Sequence, residues 1–339
     1  VDRRPSLAPA VAEVRRAVRA ALEQLPAEGD RAVLVALSGG ADSLALAAAT
    51  AFEAPKLGLR LIAVVVDHQL QAGSAEIAGH AADAARNMGI DAYVVPVTVA
   101  GAGGPEAAAR TVRYRALADA ARTHRAAAVL VGHTLDDQAE TVLLGLARGS
   151  GATSLQGMPP VSELEGVPLL RPLLAVRRGT TRAACAAEQL TPWDDPHNAD
   201  ARFSRVRVRE NVLPVLEAEL GPGVAEALAR TAEQLREDAE AFADMIDEVI
   251  EDLVEHAEAG ISVSAAALAA NPAALRHRII RHVVASEFGE SLTRSQTLEV
   301  ARLATAWAGQ GPIDLPGCRA RRVGGRIEFT ASGHSAASA

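Results

Sequence analysis

Cysteine is nearly absent: Cys185 and Cys318 are the only two in 339 residues. They stand far apart, in no CxxC pair and beside no histidine cluster, which argues against a disulfide framework, a structural zinc site or a cysteine-held iron–sulfur centre. Two inert thiols are the expectation. Aromatic residues make up 3% of the chain, so stacking platforms for bases are few. Trp193 is one, with a buried packing role as the other reading. No apolar run reaches the roughly 18 residues of a membrane-spanning helix, and the N-terminus lacks the charged-then-apolar order of a signal peptide. The expectation is a cytoplasmic protein with no membrane partner. An excess of positive charge is missing as well, since the net charge is −8, which excludes a uniformly basic nucleic-acid coat. Local arginine clusters remain: Arg202, Arg205, Arg207 and Arg209, the adjacent Arg177 and Arg178, and Arg319, Arg321 and Arg322. Each reads either as a phosphate contact or as a solvated face.

What is present is enough apolar material, 49% of residues, for a sizeable core, and a length that suggests two domains at roughly 100–200 residues each. A helix-like segment at 11–25 leads into a short apolar run at 32–37, of the length of a strand buried on both faces. Predicted helix 44–52, strand 61–66, helix 74–87, strand 92–97, helix 105–123, strand 127–131 and helix 136–147 follow in alternation. Strands separated by helix-length segments mean an open, mainly parallel sheet with helices on both faces, the α/β class. From 159 to 172 the pattern is irregular and proline-rich, before a helix at 178–189. The domain reading is a first domain over 1–220, a linking helix within 221–258, a small α+β domain over 259–330 and a small-residue tail at 331–339 expected to be disordered.

The chemistry starts at Ser38-Gly39-Gly40-Ala41-Asp42-Ser43. Between a buried strand and a helix, this turn sits where unpaired amides and the positive end of the helix dipole favour anions. Gly39 and Gly40 carry no Cβ, so the backbone can approach phosphate oxygens, and the Ser38 and Ser43 hydroxyls can donate to them. Asp42 would repel bare phosphate. It reads either as a helix cap or as the holder of a cation, most simply Mg²⁺. No GxxxxGK[ST] occurs, and no GxGxxG follows the first strand, so the two commonest phosphate loops are excluded. Asp67-His68 closes the second strand and His133 the fourth, at the sheet edge where open α/β proteins bind ligands. Asp137 and Glu140, three residues apart on the next helix, share a face that could hold an ammonium group or a metal, or could be an acidic first turn favoured by the dipole. Arg110, Arg113 and Arg115 could neutralise charge developing on a phosphate, or could be a solvated face.

Ser-Gly-Gly-x-Asp-Ser resembles the loop of the N-type ATP pyrophosphatases, whose fold is of the adenine-nucleotide α-hydrolase kind. The resemblance implies cleavage of ATP between its α and β phosphates. Taken with Val66-Asp67-His68, Arg110-Thr111-Val112-Arg113-Tyr114, the run from Gly132-His133 to Glu140-Thr141, Arg148-Gly149-Ser150-Gly151 and Arg171-Pro172-Leu173-Leu174, the chain resembles the tRNA(Ile)-lysidine synthetase family from Arg31 to about Leu216. Asp195-Pro196-His197-Asn198 and Arg205-Val206-Arg207-Val208-Arg209 stand where the family has Asp-Pro-Ser-Asn and Arg-Asn-Arg-x-Arg, and Gln71 stands where it usually has Arg.

The resemblance implies a ligase that adenylates the first anticodon cytidine of a minor isoleucine tRNA, the one with a CAU anticodon, and joins L-lysine to it. Implied ATP-binding residues are Ser38, Gly39, Gly40, Ala41, Asp42, Ser43, Asp67, His68 and His133. Implied catalytic residues are Asp42, Arg113, Asp137 and Glu140, with Asp42 on Mg²⁺ and Arg205, Arg207 and Arg209 on tRNA. The small domain over 259–330 would contact tRNA, the additional terminal domain of longer members would be lacking, and a homodimer is one assembly left open. A tRNA 2-thiolation enzyme is the alternative within the superfamily, disfavoured by the scarcity of cysteine. An ATP-sensing module without catalysis is the alternative outside it.

Overall fold

Strand burial sets the frame. The computed structural model describes residues 7–26, 31–69, 73–98, 105–149, 151–195, 200–257 and 260–332. Gln71, Ser150, Pro196, His197, Asn198 and the segment 333–339, all singled out above, lie outside the described residues. Two compact units divide the chain, Val1–Arg236 and Glu237–Ala339.

In the first unit α1 (Pro9–Leu22), β1 (Arg31–Ala36), α2 (Ala41–Glu53), β2 (Leu59–Asp67), α3 (Ser74–Asn87), β3 (Asp91–Pro96), α4 (Pro105–Thr123), β4 (Ala126–Leu130) and α5 (Leu135–Ala147) alternate as expected. Then come α6 (Ala152–Leu155), β5 (Val161–Leu164), β6 (Val167–Leu170), α7 (Arg178–Ala187), α8 (Ser204–Arg207), a π-helical turn over Val208–Val212, and α9 (Leu213–Leu220). The sheet order is β3-β2-β1-β4-β6-β5, parallel except for the β5–β6 hairpin. Side chains alternate across β1. Val33 and Val35 enter a core shared with α1, α2 and α7, while Ala32 and Leu34 enter a second core under α4 with Leu117, Ala118 and Ala121. Burial on both faces is why the strand reads as an unbroken apolar run. The hairpin at 161–170 is a difference from the irregular stretch expected there. Its single proline, Pro168, is tolerated in a short strand beside the sheet edge, where the period-2 signal is too brief to read.

Chain direction then fixes the ligand side. β2 lies on one flank of β1 and β4 on the other, so the loops leaving β1 and β4 border the point where strand order reverses. A crevice forms there at the carboxyl ends of the strands.

Helix α10 (Val224–Leu253) contains the division between the units, and its hydrophobic spacing continues into the second. There β7 (Val254–Ala257), β8 (Gly260–Ser264), α11 (Ala265–Ala270), α12 (Ala273–Phe288), α13 (Arg294–Thr305), β9 (Ile313–Leu315), β10 (Cys318–Val323) and β11 (Arg326–Ala331) form an antiparallel sheet, order β7-β8-β11-β10-β9, with helices packed on it. Its core includes Leu268, Ile279, Ile280, Val284 and Phe329. The linking helix expected within 221–258 stops at Leu253, because Val254–Ala257 pairs with β8. The expected α/β sheet followed by a long helix and a small α+β unit is the architecture found.

Candidate active site

The turn at 38–43 is held open from within. Ser43 Oγ accepts from the Ser38 amide at 3.2 Å and from the Ser38 hydroxyl at 3.1 Å, and donates to the Gly40 carbonyl at 2.9 Å. The Trp193 amide donates to the Gly39 carbonyl at 3.0 Å. Among the described residues nothing accepts from the Gly39 and Gly40 amides, and the first amides of α2 have no intrahelical partner. Gly39 has φ +83°, and a Cβ there would lie 3.3 Å from Ala81 Cβ. Glycine is therefore required twice over, by conformation and by space. Across the crevice Gly132 is as constrained, since its Cβ would stand 3.1 Å from both the carbonyl carbon and oxygen of Asp42. That close approach brings His133 beside the turn.

Asp42 does not cap its helix. Gly40 is the N-cap, without a side-chain bond, and the Asp42 carboxylate turns instead to α7, where Thr181 Oγ1 donates to Oδ1 and Arg178 Nε lies 3.6 Å from Oδ2. Burial raises the Asp42 pKa above the ordinary carboxylate value and the nearby Asp137 adds to the rise, against the Thr181 bond and Arg178. This acid lacks full compensation in the protein alone. It suits a Mg²⁺ of the kind held by one or two carboxylates together with substrate phosphates, and no cluster of three or more metal-ligating side chains exists among the described residues to form a cage.

Asp137 caps its own helix and pairs with an arginine at the same time. Its Oδ2 accepts from the Thr134 amide at 2.8 Å and hydroxyl at 2.9 Å, closing a capping box, while Oδ1 accepts from Arg178 at 2.8 Å. Glu140 is fully buried. Its carboxylate takes Nε and Nη2 of Arg209 at 2.8 and 3.1 Å and both terminal nitrogens of Arg178 at 3.2 Å, with Arg205 Nε at 3.9 Å. Arg178 thus joins three carboxylates, Asp42, Asp137 and Glu140, from two helices, and its guanidinium is correspondingly held above its ordinary pKa despite burial. Sequence reasoning missed Arg178 and Thr181 as site residues. The available signal was a cation at the first position of a helix, where the dipole disfavours it. Arg205 and Arg209 turn inward to this network, Arg205 also donating to Thr141 Oγ1 at 3.0 Å. Arg207 turns elsewhere, to the carbonyls of Ala201 and Arg202 at 2.8 Å, and Val206 between them is buried.

A second group lines the crevice. Asp67 is buried and accepts from the Gln69 amide at 3.0 Å. Among the described residues the buried Nδ1 atoms of His68 and His133 have no hydrogen-bond partner. Burial lowers the His133 pKa to about 3; Asp137 opposes the change, and Arg113, Arg171 and Arg110 add to it. His68 is lowered by burial and then by Arg113. Both imidazoles are neutral at physiological pH, each with one N–H to donate. Burial likewise depresses Arg113, whereas Arg110 and Arg115 line an open cavity of about 520 Å³ along α4. Trp193 borders a smaller one of about 60 Å³ with Gly39, His80 and Ala81. Cys185 is buried against the Ala41 carbonyl at 3.3 Å, and burial pushes its thiol up to about 11. Cys318 is also driven to about 11 by burial. Neither is poised as a thiolate nucleophile.

Comparison with known proteins agrees with this geometry. A PP-loop domain matches residues 12–216 and a TilS substrate binding domain matches residues 264–328. The tRNA(Ile)-lysidine synthase of Leifsonia xyli is 57% identical over 93% of this chain and 98% of its own, and that of Thermobifida fusca 51% identical over 95% and 98%. Among solved structures the U34-tRNA thiolase NcsA from Methanococcus maripaludis is similar in fold, with a TM-score of 0.57 at 21% identity over 67% of this chain and 80% of that one. This chain belongs to the tRNA(Ile)-lysidine synthase family.

Proposed function

We propose that this protein adenylates the first anticodon cytidine of a tRNA(Ile) bearing CAU, using ATP, and joins L-lysine to it, releasing AMP and pyrophosphate. The observation that carries the reading is the glycine turn at the strand-order reversal, with free amides on one side and an acid–arginine network on the other. Membership of the family and the PP-loop domain support it, and the buried, protonated thiols count against a thiolation chemistry.

In the first step the cytosine carbonyl oxygen attacks the α-phosphorus and the bond to the β-phosphate breaks. The amides of Gly39, Gly40, Ala41 and Asp42 and the hydroxyls of Ser38 and Ser43 bind the departing pyrophosphate. Asp42 holds a Mg²⁺, which supplies charge neutralisation on the phosphates when bound. Arg113 faces the α-phosphate, a role suited to a half-buried guanidinium that has no carboxylate ion pair among the described residues, and Asp67, His68 and His133 border the nucleotide as neutral or acceptor groups.

In the second step the lysine side-chain amine attacks the activated ring carbon and AMP leaves with the former carbonyl oxygen. The amine must lose a proton, and Asp137 and Glu140 are the acceptors at hand for its ammonium form. In the free protein these carboxylates are satisfied by Arg178, Arg205 and Arg209, so an incoming ammonium exchanges for a guanidinium at no cost in net charge. Arg205 and Arg209 released in this way bind the anticodon-loop backbone, joined by Arg207. We further propose residues 1–220 as the catalytic part, 221–258 as the linking helix and 259–330 as a tRNA-contacting part.

The test is incubation of purified protein with ATP, Mg²⁺, radiolabelled lysine and total bacterial tRNA, beside D42A. Alkali-stable label on tRNA, lost in D42A, is the expected result. Label released by mild base marks an aminoacyl ester instead and refutes base modification.

A further inference from the structure

The two residues that flank Asp137 in sequence both lead to α10. Gln138, only 3% exposed, pairs by both ends of its amide with one residue: Nε2 donates to the Met158 carbonyl at 2.9 Å, and Oε1 accepts from the Met158 amide at 2.7 Å. The Met158 carbonyl also accepts from Arg236 Nη1 at 3.1 Å, and the Gln156 carbonyl accepts from the same nitrogen at 2.7 Å. Between those carbonyls Gly157 has φ +62°, and a Cβ there would stand 2.5 Å from Gln138 Oε1. Glycine is what lets the loop close on the amide. On the other side of Asp137, Asp136 ion-pairs with Arg177 at 3.5 Å, and Arg177 pairs with Glu226 at 3.4 Å. Glu226 and Arg236 belong to the part of α10 that lies within the first unit.

Apolar packing follows the same line. Leu135 and Ala139 of α5 share a small core with Leu213 and with Ala225 of α10, and Leu228 packs against it. The two polar links differ in strength. Arg177 and Glu226 are 39% and 38% exposed, so water screens their pair and its contribution is small. The Gln138 link is buried, and breaking it leaves peptide groups of Met158 without partners. None of these bonds is needed to form α5 itself, whose backbone pairs internally. Gln138 projects about 100° around the helix from Asp137, so its bidentate pairing fixes the rotation of α5 from the side. A rotated α5 would carry Asp137 and Glu140 together away from Arg178.

We infer that Gln138 and Arg236 are positioning residues: through the loop at 156–158 they make α10 hold α5 at the rotation that presents Asp137 and Glu140 to the incoming amine. Neither side chain touches the reacting atoms. The inference rests on the function proposed above in taking that amine as the lysine side chain.

The experiment compares wild type, R236Q, Q138L and R230Q as full chains, by hydrogen exchange and by steady-state kinetics. In R236Q and Q138L, amides of α5 and of the loop at 156–158 should exchange about tenfold faster or more, the fold-change of one lost charge-assisted or buried hydrogen bond, while β1 and α2 keep their rates. The kcat/KM for lysine should fall about 10- to 100-fold, as misplaced groups do, with the KM for ATP unchanged. R230Q, exposed on the same helix, should change neither. Arg236 is half-buried at the edge of the link, so R236Q alone carries the test should Q138L unfold. Unchanged exchange in α5 overturns the inference, and so does a rise spread evenly through β1 and α2, which marks general loosening. A wild-type kcat/KM for lysine in R236Q also overturns it. Exchange needs no turnover, so the two ideas fail separately: wild type that attaches no lysine to tRNA defeats the proposed reaction, while an active R236Q with wild-type exchange defeats the bracing of α5.

Discussion

Replacing Glu140 by Gln removes the one charge that three arginines share. The side chain has 0% exposure, against 24% for Arg209 and 18% for Arg178, so water cannot substitute for the lost carboxylate. Breaking a buried ion pair by removing one partner costs about 3–5 kcal/mol. For a unit of this size, at about 2–4 °C per kcal/mol, the melting temperature should fall by roughly 6–20 °C. Asp83 makes a pair of similar length, 2.8 Å to Arg86, but with 65% and 52% exposure. D83N should therefore move stability by no more than about 0.5 kcal/mol. Differential scanning calorimetry of wild type, E140Q, D83N, R209Q and E140Q/R209Q gives all the numbers. The two site variants should couple by about 0.5–3 kcal/mol, because each already strands the other's partner. E140Q melting within 2 °C of wild type would refute the reasoning, since Glu140 would then not be the anchor of this network.

His133 should make acid unfolding steeper: its pKa falls from 6.5 in the unfolded chain to about 3 in the fold, so its contribution is complete above pH 6.5 and is lost as pH falls toward 3. Urea titrations between pH 7 and 5 should show wild type losing more stability than H133N, and equal losses contradict this. T181V removes the hydroxyl that lowers the Asp42 pKa, so the acid limb of the pH–rate profile should move to higher pH; an unmoved limb means that Asp42 ionisation does not limit activity. G132A places a methyl 3.1 Å from the Asp42 backbone, and overpacking of about 1–3 kcal/mol there, if carried into the transition state, should cut kcat/KM for ATP about 5- to 150-fold. Wild-type kinetics in G132A would show that the β4 loop does not brace the phosphate turn.

The legible parts of the molecule were those where one local cause dominates. β1 could be read because both its faces are buried, and the turn at 38–43 because two glycines, two serines and an aspartate have few joint uses outside anion binding. Asp137 and Glu140 could be placed on one face from spacing alone. Their partners could not, since Arg178 lies 38 residues or more away and reaches them only through the packing of α7 beside α2. The β5–β6 hairpin was obscured by strands of four residues, too short for a period-2 signal. Val254–Ala257 was absorbed into the helical pattern before it because its strand character comes from pairing with β8, a tertiary cause. Arg205, Arg207 and Arg209 looked equivalent in sequence, yet two turn inward to Glu140 and Thr141 and one outward to backbone carbonyls. Spacing along a short helix running into a π-helical turn does not fix which way each side chain points.

The central claim is that the turn at 38–43 grips the two phosphates that leave together. It is tested most directly by supplying ATP radiolabelled at the α-phosphate with tRNA and lysine, then resolving the labelled products. One labelled AMP per lysine incorporated, with no labelled ADP, is the expected result. Labelled ADP in proportion to modified tRNA would mean that the bond to the γ-phosphate is the one broken, and the account of the turn would be wrong.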